Sequence, residues 1–235
     1  MDFLEKNRQM EDLIVHTKFG FDLICGTYGE FKLANMNHAQ KTRFMKHFSK
    51  VSQEYDVAVF DLGAGIACTV LDFALGVERT VIVTTPQDVI SGYACAKAAF
   101  SRFKAIEERL EERLVGYIPR WSFAPLFVIN QAGSPEQGVK LFHRVAKTAN
   151  EQINPEESRF RIEPEYLGAI QYDKESMRAC EAKKKPLLAC LPYTKAAQSI
   201  HHMALKFSNP NVSFDPRIKY KHPFRRFMAV LAQKF

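Results

Sequence analysis

The chain is built from short apolar runs that alternate with longer segments of helical spacing. The apolar runs occupy residues 21–26, 55–61, 80–85, 126–130 and 166–170, and the helical segments occupy 36–50, 92–115, 136–152 and 174–184. Most of these runs are apolar at nearly every position, which is typical of strands buried on both faces. Strands of this kind separated by helices predict an α/β fold with a doubly wound, mostly parallel sheet.

Composition excludes several classes of protein. A chain of 235 residues with 46% apolar and 25% charged residues has an ordinary globular composition and contains enough apolar residues for a core. No run approaches the roughly 18 apolar residues of a membrane span, and no segment resembles a secretory leader. The five cysteines include no Cys-x-x-Cys pair, so neither a disulfide framework nor a cysteine zinc site is expected. We therefore expect a cytoplasmic protein.

Positive charge is concentrated at the C-terminus. The chain carries a net charge of +7, yet residues 217–235 alone contain six basic and no acidic residues. The other 216 residues have a net charge of only +1. Binding to nucleic acid needs a basic surface, which these nearly neutral 216 residues do not predict. We therefore expect no specific nucleic-acid partner. The C-terminal segment is instead expected to meet a local anionic target.

Asp61 is a candidate metal-site residue because it ends an apolar run and is followed by Gly63 and Gly65. Ligands of open α/β sheets bind at the carboxyl ends of strands. A carboxylate there can hold Mg²⁺ through water, and glycines let the backbone approach a phosphate. Alternatively, Asp61 only caps the following turn.

Asn130 and Gln131 follow the run at 126–130, and are candidate nucleotide-binding residues. An amide offers both a donor and an acceptor, which suits the edge of an adenine ring. Pro86 and Tyr172 hold corresponding positions after the neighbouring strands. The alternative is that Asn130 is an ordinary turn residue.

The C-terminal residues are spaced as a basic amphipathic helix at 224–235, after a proline-containing linker at 209–223. The predicted membrane-contacting residues are Phe224, Arg225, Arg226, Phe227, Met228 and Leu231. Their apolar members fall at helical positions i, i+3, i+4 and i+7, on one face. Such a helix is typical of a membrane-surface anchor. The alternative is a terminal helix that docks on its own domain.

Taken together, these segments resemble the MinD/ParA ATPases. The stretch Tyr-Asp-Val-Ala-Val-Phe-Asp-Leu-Gly-Ala-Gly-Ile at 55–66 is similar to a signature of that family. The segments 80–86, 128–131 and 166–173 follow in the family's order. The resemblance covers roughly residues 1–205, and the closest subgroup is FlhG, the ATPase that sets flagellar number and placement.

The resemblance implies a P-loop NTPase fold of the SIMIBI class, with ATP and Mg²⁺ as cofactors. Asp61 would lie on the magnesium side, and Asn130 would contact adenine. Intact relatives form ATP-driven homodimers at the inner face of the cell membrane. Their expected partners are flagellar proteins, namely an FlhF-like GTPase and switch-complex components. Two other functions stay open: a non-catalytic module that recruits a partner to the membrane, and a ParA-like partitioning factor.

The family's phosphate-binding motif, Lys-Gly-Gly-x-Gly-Lys-Thr, is not found in the 235 residues. The chain is therefore expected to begin downstream of that loop and to lack the first two strands of the sheet, with residues 1–208 forming the rest of the α/β domain. A truncated frame, a second polypeptide, or a reduced sheet with a non-ATPase role would each explain this, so ATPase activity is left open. Leu62, Gln171 and the Ser-Gly-Tyr at 91–93 also depart from the family pattern.

Overall fold

The computed structural model describes residues 9–26, 36–154 and 157–208. The described residues form two compact units, one ending at Glu78 and the other beginning at Arg79. The elements of the first unit are β1 (Ile14–His16), β2 (Asp22–Ile24), α1 (His38–Val51) and α2 (Cys68–Leu75), with 3₁₀ turns at Glu11–Leu13 and Ser52–Glu54.

In the first unit, β1 and β2 form an antiparallel hairpin. Asp22 of β2 connects this hairpin to Tyr55 through a hydrogen bond. The Tyr55 hydroxyl donates a 2.7 Å hydrogen bond to the Asp22 carboxylate, and His16 Nδ1 lies 3.0 Å from the same oxygen. The hydrogen bond from Tyr55, followed by that from His16, holds the pKa of Asp22 below its ordinary value. The sequence pattern predicted the strand at 21–26 but not its antiparallel partner.

Aromatic side chains fill the core between α1 and α2. Phe73 lies edge-on to Phe44 at 5.6 Å between ring centroids, and Phe60 lies 4.3 Å from Phe48. Met45 is buried in the same cluster. A capping box starts α1: Gln40 N–H donates to the Asn37 side chain at 2.9 Å, and Asn37 N–H donates to the Gln40 side chain at 3.0 Å.

A buried ion pair also joins α1 to α2. Lys41 Nζ lies 2.8 Å from Asp72 Oδ2, and the two side chains are only 2% and 1% exposed. Charges removed from water to this extent are tolerated only when each has its partner. The pair therefore fixes how the two helices meet.

The strand predicted at 55–61 is not formed, which corrects the sequence-based expectation. Phe60 and Leu62 pack on the aromatic cluster, whereas Val57 and Val59 are 63% and 84% exposed. No other strand of the described residues pairs with this segment. An apolar run becomes a strand only when its backbone groups find a ladder partner, and the described residues offer none.

The second unit contains a three-stranded parallel sheet and its covering helices. Its elements are β3 (Val81–Thr84), α3 (Val89–Arg113), β4 (Ser122–Phe123), β5 (Leu126–Ala132), α4 (Pro135–Ile153), β6 (Arg161–Ile162), β7 (Glu165–Gln171), α5 (Lys174–Lys183), α6 (Leu187–Cys190) and α7 (Lys195–Ser208). The strand order is β3-β5-β7, and both pairings are parallel.

Helices cover both faces of this sheet, as the prediction of a doubly wound α/β fold requires. On one face, Leu126 and Val128 pack against Met203 and Phe207 of α7. On the other, Phe142 of α4 lies 6.1 Å from Phe127, measured between ring centroids. Helix α3 also packs on the sheet, where Gly92 lies so close to Thr84 that a Cβ would be 2.8 Å from the threonine Cβ.

Buried polar side chains hold the connections around the sheet. Glu107 of α3 is 1% exposed; it accepts hydrogen bonds from the Tyr117 hydroxyl at 2.6 Å and from Arg120 N–H and Nε at 2.9 and 2.7 Å. Asn154 pairs with both backbone groups of Ile162 at 2.8 Å, as a neighbouring strand would. Each of these groups is satisfied, as buried polar atoms in native proteins usually are.

The chain's single tryptophan, Trp121, lies beside this network. Its ring is 5.3 Å from that of Phe160, and the Arg159 guanidinium lies 4.0 Å above it.

Among the described helices, none is both long and apolar enough to cross a bilayer.

Replacing Asp72 by Leu should destabilise the first unit by about 3–5 kcal/mol, because Lys41 is left as a buried, unpaired cation. The double variant Lys41→Met/Asp72→Leu should recover most of that loss. Urea unfolding followed by far-UV circular dichroism measures both changes. The matched control is Lys50→Met, which removes an exposed pair with Glu11 at the same 2.8 Å distance and should cost far less. An equal loss in the control would contradict the role of burial.

Candidate functional site

A cleft of about 460 Å³ opens at the carboxyl ends of the three parallel strands. Its lining residues are Pro86, Gln87, Gln131, Gly133, Gln137 and Tyr172. They follow β3, end β5, begin α4 and follow β7. Ligands of parallel sheets bind at this position, so the cleft is the candidate functional site.

Gln131 enters the cleft because the end of β5 is irregular. The register between β5 and β7 shifts between Ile129 and Ala132, and Gln131 takes a left-handed backbone conformation with φ of 58°. Its N–H donates a 2.9 Å hydrogen bond to the Asn130 side chain. Residues other than Gly, Asn and Asp rarely adopt this backbone conformation, and such strain is concentrated at binding sites.

The start of α4 forms one wall of the cleft. Ser134 Oγ accepts a 3.2 Å hydrogen bond from Gln137 N–H, and Gln137 Oε1 accepts one of 2.6 Å from Gly133 N–H. The Ser134 hydroxyl also bonds to Glu136, which holds the pKa of that carboxyl below its ordinary value. A helix start that already carries a carboxylate is a poor site for a phosphate group.

The cleft offers hydrogen bonding and stacking, and its described lining residues include no His, Cys, Asp, Glu, Lys or Arg. Three of the lining side chains are amides, each with a donor and an acceptor edge, and Tyr172 presents a ring that is 58% exposed. Among the described residues, no group of three or more His, Cys, Asp or Glu side chains could hold a metal ion. The arrangement suits a planar, uncharged heterocycle.

The predicted nucleotide-binding residues fall in both units. Gln131 lines the cleft, and Asn130 beside it is half-buried. Asp61, Gly63 and Gly65 belong to the first unit, where all three are exposed. Their contact with nucleotide or Mg²⁺ stays a prediction.

The predicted membrane-contacting residues at 224–231 and the linker at 209–223 lie outside the described residues. The proposed membrane contact therefore also stays a prediction.

Sequence reasoning missed Gln87, Gly133 and Gln137 as lining residues. A signal for the last of them exists, because Ser134 and Gln137 have the Ser-x-x-Gln spacing of a capping box. That spacing places the start of α4, and hence Gln137, directly after the strand-end residues.

The fold is that of a ParA-type ATPase. The solved structure of a ParA family ATPase from Chlorobium tepidum TLS superposes on 83% of this chain and 68% of its own, with a TM-score of 0.50 and 18% sequence identity. At this level of identity the likeness concerns the fold alone. It confirms the predicted P-loop NTPase-like architecture.

Two curated relatives refine this class. The chain is 22% identical over 223 residues to the antiactivator FleN of Pseudomonas aeruginosa, and 26% identical over 203 residues to the flagellum site-determining protein YlxH of Helicobacter pylori. It spans 69% of the length of the first and 60% of the second. No family model matches the chain. Together, the relatives and the fold support a MinD/ParA-type, FlhG-like protein, as the sequence resemblance predicted.

Proposed function

We propose that this chain acts as an FlhG-like regulator of flagellar number or placement, and that the cleft takes the adenine base of a nucleotide. The first part is supported by the two relatives, whose names describe an antiactivator and a flagellum site-determining protein. The second part depends on one observation, the amide-lined cleft at the carboxyl ends of β3, β5 and β7.

Adenine suits the cleft because its edge alternates donors and acceptors and its faces are apolar. The amides of Gln87 and Gln131 can present either partner to the base edge. Tyr172 and Pro86 offer surfaces on which the ring can lie. The lining adds no charge, so this part of the site selects the base rather than the phosphates.

We also propose, as the family resemblance implies, that Asp61 holds Mg²⁺ through water. It provides one exposed carboxylate, which fits an ion that keeps most of its water shell and contacts the protein through water. The exposed Gly63 and Gly65 would allow the backbone to approach the terminal phosphate. Hydrolysis also needs a phosphate-binding loop, which these 235 residues do not contain.

A non-catalytic role is the second candidate. Apart from the Tyr172 phenol, the described lining of the cleft consists of amides, glycine and proline, which favours a module that senses or holds a nucleotide. ATP-driven dimerisation and contact with an FlhF-like GTPase or the flagellar switch complex are proposals carried by the resemblance. A partitioning role is disfavoured by the nearly neutral charge of residues 1–216.

Adenosine and Mg-ATP should bind this chain with affinities within about threefold of each other, because Asp61, Gly63 and Gly65 cannot replace a phosphate-binding loop. Gln131→Gly should weaken adenosine binding about tenfold, the effect of losing one hydrogen bond of about 1.4 kcal/mol. The same change suits the left-handed backbone and should not lower stability. Nuclear magnetic resonance titration measures the binding, and thermal unfolding measures the stability.

The control for this titration is Gln152→Ala, which removes an exposed amide of α4 that lines neither this cleft nor the depression between β7 and α7. It should leave adenosine binding unchanged. Micromolar affinity for Mg-ATP would contradict the expected lack of phosphate binding. Equal binding of adenosine by the Gln131 variant would contradict the proposed base site.

Deleting the gene should change the number or position of flagella on each cell, counted by electron microscopy. The wild-type gene and the Gln152→Ala variant should restore the normal pattern, whereas Gln131→Gly should restore it poorly. A deletion strain with normal flagella would contradict the regulatory role. Normal rescue by Gln131→Gly would separate that role from the cleft.

We also propose that residues 224–235 bind an anionic membrane surface as an amphipathic helix. Burying a large apolar side chain at the headgroup boundary contributes up to about 1.5–3 kcal/mol, and each nearby Lys or Arg adds about 1 kcal/mol. These contributions are sufficient for reversible binding, and dimerisation would strengthen it through avidity.

The double variant Phe227→Glu/Leu231→Glu should abolish sedimentation of the full chain with anionic vesicles, because it places two charges on the apolar face. The control Ala229→Glu/Gln233→Glu makes the same charge change on the opposite helical face and should only weaken binding. Salt should reduce the wild-type signal without eliminating it, since apolar burial is not screened. A wild-type chain that never pellets with vesicles would contradict the membrane proposal.

A further inference from the structure

A second depression, of about 390 Å³, runs between β7 and α7. The helix lies antiparallel to the strand: Lys206 Nζ hydrogen-bonds to the Tyr166 carbonyl, and Met203 packs on Gly168 further along. The packing is so close that a Cβ at Gly168 would be 2.5 Å from Met203 Cγ. We call this depression the β7–α7 groove.

One wall of the groove is an open strand edge. Within the described ranges, β7 pairs only with β5, so its other edge has no neighbouring strand. Gly168, Ala169 and Gln171 of that strand line the groove. An exposed edge offers a row of backbone donors and acceptors to an added strand.

The other wall is a polar, positively charged stripe of α7. The residues Lys195, Gln198, Ser199, His202 and Lys206 all line the groove, at helical positions i, i+3, i+4, i+7 and i+11. Among the residues that the structure describes, no acidic side chain lines it. The surrounding sequence has the same bias, because residues 182–214 contain no Asp or Glu. The groove therefore favours a negatively charged occupant.

We propose that the β7–α7 groove binds an acidic, extended segment of a partner protein, which adds as a strand to the free edge of β7. From Lys195 to Lys206 the helix rises about 16 Å, the length of about five extended residues. One helical turn rises about 5.4 Å, close to the roughly 6.6 Å that separates every second residue of a strand. Acidic side chains at alternate positions would therefore meet successive turns of the basic stripe.

Charge and backbone chemistry disfavour the other occupants. The chain's own residues 217–235 are basic and carry no acid, so they do not complement the stripe. Nucleic acids and lipids could pair with the lysines, but they have no peptide backbone with which to extend the sheet. This inference does not depend on the nucleotide proposal, because the groove shares no lining residue with the strand-end cleft.

The test uses the full chain and a peptide of alternating Glu and Val, about seven residues long, with binding measured by fluorescence anisotropy. The double variant Lys195→Glu/Lys206→Glu should weaken binding at least about tenfold. The control Lys183→Glu/Lys185→Glu makes the same charge change outside the groove lining and should have little effect. A second variant, Lys195→Glu/Gln198→Glu, spares the Lys206 contact with Tyr166 and should also weaken binding.

A peptide methylated at alternate backbone nitrogens should bind much more weakly, because it cannot form the ladder. The proposal is overturned if the acidic peptide does not bind at millimolar concentration. It is also overturned if the control Lys183→Glu/Lys185→Glu weakens peptide binding as much as Lys195→Glu/Lys206→Glu does. Equal binding by the methylated peptide would also overturn it. So would anionic vesicles or single-stranded DNA that bind through the groove when the peptide does not.

Discussion

Pairing of β5 along both of its edges is the constraint on which the second unit depends. The strand hydrogen-bonds to β3 and to β7, so the three strands run parallel and their carboxyl ends meet. Phe127 and Ile129 of this strand are fully buried, because helices cover both faces. The cleft follows directly, since its lining residues are those that leave the sheet at that end. The cleft and the β7–α7 groove therefore both border this one small sheet.

In each unit, fully paired buried charges lie beside packed aromatic rings and connect neighbouring elements. In the first unit, Lys41 and Asp72 connect two helices through one short contact. In the second, Glu107 accepts hydrogen bonds from Tyr117 and from Arg120, whose guanidinium also lies 4.8 Å from the ring of Phe103. Burying such groups is costly unless every partner is present, so they favour one arrangement of neighbouring elements over others.

The sequence was most informative where local pattern and sheet pairing agree. The apolar runs at 80–85, 126–130 and 166–170 predicted the three sheet strands, and the rule that ligands bind at strand ends indicated Gln131 and its neighbours. The equally apolar run at 55–61 forms no strand, because pairing depends on a neighbour that the pattern of one segment does not specify. The left-handed backbone of Gln131 was also unpredictable, since only its tertiary surroundings impose it. The short strand at Ile14–His16 carries too few residues for a periodic signal.

The placement of Trp121 gives the chain a built-in optical marker. It is the only tryptophan, and its contacts with Phe160 and Arg159 lie within the second unit. Indole emission changes when the ring is exposed to water or when a stacked cation departs. Fluorescence of the unlabelled protein therefore follows the parallel-sheet unit, while circular dichroism records both units at once. The two signals together distinguish unfolding of one unit from unfolding of the whole chain.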